Sequence, residues 1–259
     1  MRTVLFDAGP NGIAIEHNVS NLGIDMGVIE AVVLSHGHTD HASGLPTAIK
    51  MIAQANGGGR VPVHVNPEMF SHRAEVLDNG DIFLSENIPT IEVMEQAGAQ
   101  VINDPAQRNL LGDLFYLSGE IPRTTSYELG LPVQVRRNAD DTDWEPDPWL
   151  MDERYMAVHV QGKGIMVFTA CSHAGLINVL RHARETFAPI PLYGVMGGFH
   201  LAGGLFEPII PETVRDLAEF DLKVIVPGHC TGWRATRAML DAFGEDIVLP
   251  SAVGRRHIY

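Results

Sequence analysis

Apolar residues along the chain gather in short runs that alternate with longer amphipathic stretches, the pattern of strands interleaved with helices. The runs predict strands over Thr3–Phe6, Ala31–Leu34, Val61–Val65, Leu114–Leu117, Tyr155–Val160, Ile165–Thr169, Leu192–Val195, Lys223–Val226 and Ile247–Leu249. Helical periodicity follows several of them, over Leu45–Ala55, Ile88–Ala97, Gly175–Thr186, Pro211–Phe220 and Arg234–Ala242. Ser43 ahead of Leu45-Pro46 marks the start of the first of these helices and Gly57-Gly58-Gly59 its stop. No internal repeat recurs at a fixed period. The alternation predicts an α/β fold. With 259 residues at 45% hydrophobic content the chain can bury a large core, and one domain over 1–259 is expected.

Two stretches break the pattern. Asn138–Asp152 sets Asp140-Asp141-Thr142-Asp143 beside Trp144, Pro146, Pro148 and Trp149, and reads either as a surface excursion or as a lid over a site. Asp78–Glu86 reads as a shorter loop.

The run Ala31–Leu34 leads straight into Ser35-His36-Gly37-His38-Thr39-Asp40-His41, an H-x-H-x-D-H cluster. Side chains this dense converge only where the backbone leaves a strand and turns sharply toward a helix. Imidazole suits zinc, iron and nickel, while the carboxylate of Asp40 is a harder ligand. His36 and His38 can share one metal, and Asp40 and His41 can hold a neighbour about 3.5–4 Å away, the spacing of two-metal hydrolases.

Three later strands also end on histidine: Ile165–Ala170 runs into Cys171-Ser172-His173, Val195–Gly198 into Phe199-His200, and Val224–Gly228 into His229-Cys230. Ligands of α/β sheets gather outside the carboxyl ends of strands, so this recurrence is what a shared site requires. His17, His64, His72, His159, His182 and His257 lack that context and read as surface or core residues. Cys171 and Cys230 are small core hydrophobes, thiolate ligands or a redox-sensitive pair. In Ser118-Gly119-Glu120-Ile121-Pro122-Arg123, Glu120 can ligate metal or act as general base and Arg123 can bind an anionic group, unless the segment is an ordinary turn. Asp7, closing the first strand, can accept a hydrogen bond from a ligand histidine and fix its tautomer.

A formal net charge of −14, with no Lys/Arg cluster to offset it, argues against a nucleic-acid partner. Arg136-Arg137 reads as a solvated pair. No stretch reaches the roughly 18 apolar residues of a membrane span, and the first residues lack the apolar core of a signal peptide. Two cysteines give no disulfide framework. A cytoplasmic protein acting on a small molecule, with no membrane or nucleic-acid partner, is expected.

Phe6-Asp7-Ala8-Gly9, the H-x-H-x-D-H cluster and the strand-end histidines together resemble the metallo-β-lactamase superfamily over nearly the whole chain. The stretches around His36, Ser118–Arg123, Cys171–Gly175, Gly197–Leu201 and His229–Gly232 resemble one branch, whose members are labelled 7,8-dihydropterin-6-yl-methyl-4-(β-D-ribofuranosyl)aminobenzene 5′-phosphate synthase. The resemblance implies an α/β fold of the αββα sandwich type with a binuclear site. It implies two divalent metal ions, zinc first with manganese or iron as alternatives. His36 and His38 would serve one metal, Asp40 and His41 the other, with His229 as its last ligand.

The chain departs from the family pattern in three places. Cys171-Ser172-His173 stands where a bridging aspartate is usual, which makes His173 the ligand candidate. Gly119-Glu120 is the best match to a Gly-His ligand pair; a glutamate there would favour manganese or iron, and His200 is the other candidate. Family members generally carry two strands ahead of the Asp7 strand, so the first sheet is expected to be short or the chain a truncated version.

By the same resemblance the activity is hydrolysis of a phosphate, ester or lactone-like small molecule, anionic and held by Arg123. Asp40, Glu120 and Arg123 are its catalytic candidates, and His200, Arg123 and Cys171 lie toward the substrate. A transferase of the pterin synthase type and a non-catalytic, metal-dependent binding protein are the competing readings. A redox di-iron protein ranks last, since nothing resembles a flavin-binding partner domain.

Overall fold

The computed structural model describes residues 2–259. Up to Ala106 the chain forms β1 (Val4–Phe6), α1 (Gly12–Leu22), β2 (Ala31–Val33), α2 (Thr39–Ala42), α3 (Leu45–Ala55), β3 (Val61–Val65), β4 (Arg73–Val76), β5 (Ile82–Leu84), α4 (Ile91–Gln96) and β6 (Ala99–Asn103). Then come β7 (Arg108–Leu110), β8 (Phe115–Leu117), β9 (Gln134–Arg137) and β10 (Trp144–Pro146). The remainder supplies β11 (Met156–Val160), β12 (Gly164–Thr169), α5 (Leu176–Phe187), β13 (Leu192–Gly198), α6 (Ile210–Leu217), β14 (Val224–Gly228) and α7 (Gly232–Phe243). Contacts gather these elements into two compact units, Met1–Ala106 with Leu131–Asp152, and Gln107–Gly130 with Glu153–Tyr259.

The first unit holds a parallel sheet ordered β1-β2-β3-β6 and an antiparallel sheet ordered β10-β9-β4-β5. Its apolar core is set by β2, buried at all its residues, and by α3, whose Leu45, Ala48, Ile49, Ile52 and Ala53 recur at helical spacing and face inward. β2 therefore ends inside the core, and the His36 cluster begins at its carboxyl end. In the second unit a six-stranded sheet runs β14-β13-β12-β11-β8-β7, with β12, β13 and β14 parallel and the others antiparallel. α5 packs Leu176, Ile177, Val179, Leu180 and Ala183 into the core that Ile165, Val167, Val195 and Ile225 also share.

Most of the expected elements form within a few residues of their predicted bounds. Ile247–Leu249 is the exception, making only an isolated bridge between Val248 and Ile225. Asp78–Glu86, read as loop, contains β5, whose three residues are all exposed and so show no buried face. Asn138–Asp152 is neither wholly a surface excursion nor wholly irregular: β10 pairs with β9, and Asp147 and Asp152 are buried. Among the described residues no helix is long and apolar enough to cross a membrane.

Candidate metal centre

The first unit assembles its part from the end of β2. Asp7, left-handed at φ 62° just past β1, accepts from Ser35 N–H at 2.8 Å, from Ser35 Oγ–H at 2.8 Å and from His41 Nδ1–H at 2.7 Å. Because the Ser35 hydroxyl donates to Asp7, its oxygen accepts from Nδ1–H of His36, 2.8 Å away. On the other side, His38 Nε2–H donates to Gln134 Oε1 at 3.1 Å. Nε2 of His36 and Nδ1 of His38 then face each other, 3.1 Å apart. His41 repeats the motif: its Nδ1 proton is committed to Asp7, while Nε2 lies 3.5 Å from the Asp40 carboxylate. Imidazole nitrogens and a carboxylate are thereby brought together at the end of one strand. The donor set thus fits a divalent metal.

Burial holds the His38 imidazole below its ordinary value, against the Gln134 hydrogen bond, which favours the charged ring. A neutral imidazole is the form that binds metal.

Beneath His38 lies a buried ionic cage. Arg73 gives Nε–H to Asp147 at 2.8 Å and two guanidinium N–H groups to Asp152 at 2.7 and 3.3 Å. Burial opposes the Arg73 charge, but Asp152 and Asp147 outweigh it and hold the guanidinium protonated. Asp152 also accepts from Gly37 N–H at 2.7 Å. A Cβ at residue 37 would stand 2.5 Å from the Met69 carbonyl oxygen, so only glycine lets the backbone between His36 and His38 come this close. Beside His38 and Asp40 opens a cavity of 550 Å³ whose walls include Glu75, Phe83 and Glu86.

The second unit carries its own donors. Cys171, His173 and His200 bring one ligand atom each within 4.8 Å of one another, as do Cys171, His229 and Cys230. Ser172, His200 and His229 follow β12, β13 and β14 in the left-handed region, at φ 58°, 46° and 48°. Non-glycine residues seldom adopt it, yet three consecutive strand ends do so here. Buried Glu153 fixes the loop by accepting from His173 N–H at 2.8 Å and Ala174 N–H at 2.6 Å. The Cys171 and Cys230 sulfurs are 3.2 Å apart and form no disulfide. The His173 and His200 rings lie 4.2 Å apart.

Thus His36, His38, Asp40 and His41 are together in one unit, and Cys171, His173, His200 and His229 in the other. Glu120 is exposed and joins no donor group among the described residues. Arg123 turns back to donate to the Ile121 carbonyl. Sequence reasoning missed Arg73, Gln134, Asp147, Asp152 and Glu153. An isolated acid or base in a polar segment gives no warning that it will be buried.

Residues 2–106 match the family model of the Beta-lactamase superfamily domain. The 7,8-dihydropterin-6-methyl-4-(beta-D-ribofuranosyl)-aminobenzene-5'-phosphate synthase of Methanocaldococcus jannaschii is 27% identical over 256 residues, covering 95% of this chain and 81% of that protein. The chain is thus similar to the metallo-β-lactamase superfamily in sequence over residues 2–106. An uncharacterized protein of the same organism is 29% identical over 238 residues, 90% of this chain and 81% of its own. Among solved structures, Tm1679, described as a metal-dependent hydrolase of the beta-lactamase superfamily, superposes with a TM-score of 0.75 at 24% identity, covering 97% of this chain and 87% of that one. YhfI from Bacillus subtilis, a metallo-beta-lactamase fold protein, gives 0.53 at 14% identity, with 98% and 86% covered. The metallo-β-lactamase fold that the resemblance implies is therefore present.

Proposed function

We propose that the chain is a metal-dependent hydrolase of small phosphate or ester-type molecules, working with two divalent ions, zinc first and manganese or iron as alternatives. The observation that carries this reading is the convergence of His36, His38, Asp40 and His41 at the carboxyl end of β2, with His36 Nε2 and His38 Nδ1 3.1 Å apart. His36, His38, Asp40, His41, His173 and His229 are the proposed ligands. When bound, such metals polarise the electrophile and ready a water for attack near neutral pH.

The chain's own residues prepare the ligands. Asp7 holds the His41 proton on Nδ1 and, through Ser35, the His36 proton on Nδ1, so that each ring offers Nε2. Glu153 orders the backbone of His173. The cavity beside His38 is large enough for a small-molecule body, with Phe83 supplying an apolar wall. Its walls carry Asp40, Glu75 and Glu86 beside His38, His72 and Arg73, and the anionic part of a substrate falls to the metals.

A second reading, transfer between a pterin and a ribofuranosylaminobenzene phosphate, is favoured by the relative that is 27% identical over 95% of this chain. Fold alone does not choose between them. Elemental mass spectrometry on untagged protein, with turnover assays of phosphodiesters, esters and lactones, tests the first reading. About two metal equivalents and hydrolysis lost in His38→Ala support it; metal-free protein after reconstitution overturns it. Pterin binding without hydrolysis selects the second.

A further inference from the structure

We propose that Gln134 is a positioning residue that sets the tautomer of His38, holding its proton on Nε2 so that Nδ1 faces the metal. The inference rests on the metal-dependent reading above. Gln134 is buried and lies 96 residues beyond His38, on β9. Its amide cannot reverse cheaply, because Nε2–H₂ donates to both the backbone carbonyl and the carboxylate of Asp147, at 3.2 and 3.3 Å. The oxygen is therefore the atom presented to His38, and an oxygen accepts only from a protonated ring nitrogen.

Asp147 is fixed in turn by Arg73, Arg73 by Asp152, and Asp152 by the N–H of Gly37. The chain of bonds begins on the backbone between His36 and His38 and returns to the His38 ring. One buried cage thus sets both the path of the metal-binding turn and the proton of its second histidine. A tautomer shift would turn the Nε2 lone pair onto the Gln134 oxygen and put a proton on the nitrogen facing His36.

The test uses the full-length, chelator-treated protein labelled with ¹⁵N-histidine. Long-range ¹H–¹⁵N correlation spectra read the tautomer, and chelator competition reads zinc affinity. Wild type is expected to show His38 protonated on Nε2. Gln134→Met, similar in length but without the acceptor, should give mixed tautomers and zinc binding weakened by about 10–100-fold. Gln134→Glu keeps an acceptor and should restore the Nε2–H form.

A wild-type His38 protonated on Nδ1 overturns the proposal, and so does Gln134→Met with unchanged tautomer and affinity. Loss of the Nε2–H form in Gln134→Glu as well would assign the ring to packing and also overturn it. Should Gln134→Met not fold, the wild-type and Gln134→Glu spectra decide. Absence of metal binding would refute the hydrolase reading alone, since the tautomer is read in metal-free protein.

Discussion

The Asp7 carboxylate reaches across from the end of β1 to take the Nδ1 proton of His41 at 2.7 Å, while its other oxygen takes the Ser35 N–H. Both oxygens of Asp7 are thereby engaged, the one facing His41 also accepting from the Ser35 hydroxyl. An asparagine would have to direct its NH₂ group at one of those donors. Asp7→Asn is expected to weaken zinc binding by about 10–100-fold with little change in fold. Chelator competition measures it, and wild-type affinity in the variant would remove Asp7 from this role.

Arg73 stands between two carboxylates in a region almost closed to water: its side chain is 3% exposed, that of Asp147 6% and that of Asp152 0%. Taking the cation away leaves two buried charges uncompensated, the costly way to break a buried ion pair. Arg73→Met is expected to lose about 3–5 kcal/mol of stability in urea denaturation. A loss below about 1 kcal/mol, the scale of exposed pairs, would show that the cage does not stabilise this unit.

The contrast between these sites explains what the sequence reveals. His36, His38, Asp40 and His41 sit within six positions, and the apolar β2 ahead of them announces the turn, so spacing alone exposes them. α3 is legible for the same local reason, its apolar positions recurring at 45, 48, 49, 52 and 53. Arg73 meets partners 74 and 79 residues away, and no local pattern encodes such pairing. β5 is exposed along its whole length, and α1 buries no residue, so neither presents the periodicity that marks an element. The left-handed turns at Ser172, His200 and His229 involve residues with no intrinsic preference strong enough to predict them.

Glu128 caps α5 from a distant loop, accepting from Ile177 N–H at 2.8 Å and Asn178 N–H at 3.0 Å. The helix start, Gly175, has no side chain to offer; a Cβ there would fall 2.2 Å from the Glu128 carboxylate, at a backbone φ of +96°. Burial pushes the Glu128 carboxyl from 4.5 up to about 7, outweighing the backbone bonds from Ile177 and Asn178 that pull it down. Between those values the folded chain holds the proton that the unfolded chain has lost. Stability contributed by this group is therefore full below about 4.5 and declines as pH rises through about 7. Melting curves of wild type and the non-titrating Glu128→Gln should show a difference that moves against wild type across that window. A pH-independent difference would contradict it. Glu128→Ala, leaving helix N–H groups buried without an acceptor, should cost about 1–3 kcal/mol per group.

Cys230 is expected to be the reactive member of the sulfur pair. The Cys171 thiol, 3.2 Å away, lowers its pKa from 9.0 to about 4; burial opposes the shift, and His200 and His229 add to it. A thiolate is the nucleophile in alkylation, so its pH profile reports the ionisation directly. In chelator-treated protein, iodoacetamide is expected to label Cys230 with a rate that rises through about pH 4 and is level by neutrality. Cys171→Ala removes the largest cause of the shift, and the inflection should move up toward the ordinary thiol range, about 8.5. Peptide mapping distinguishes the two cysteines. A wild-type profile already inflecting near that ordinary value would mean that Cys171 does not donate to Cys230, and that the two sulfurs are neighbours in packing only.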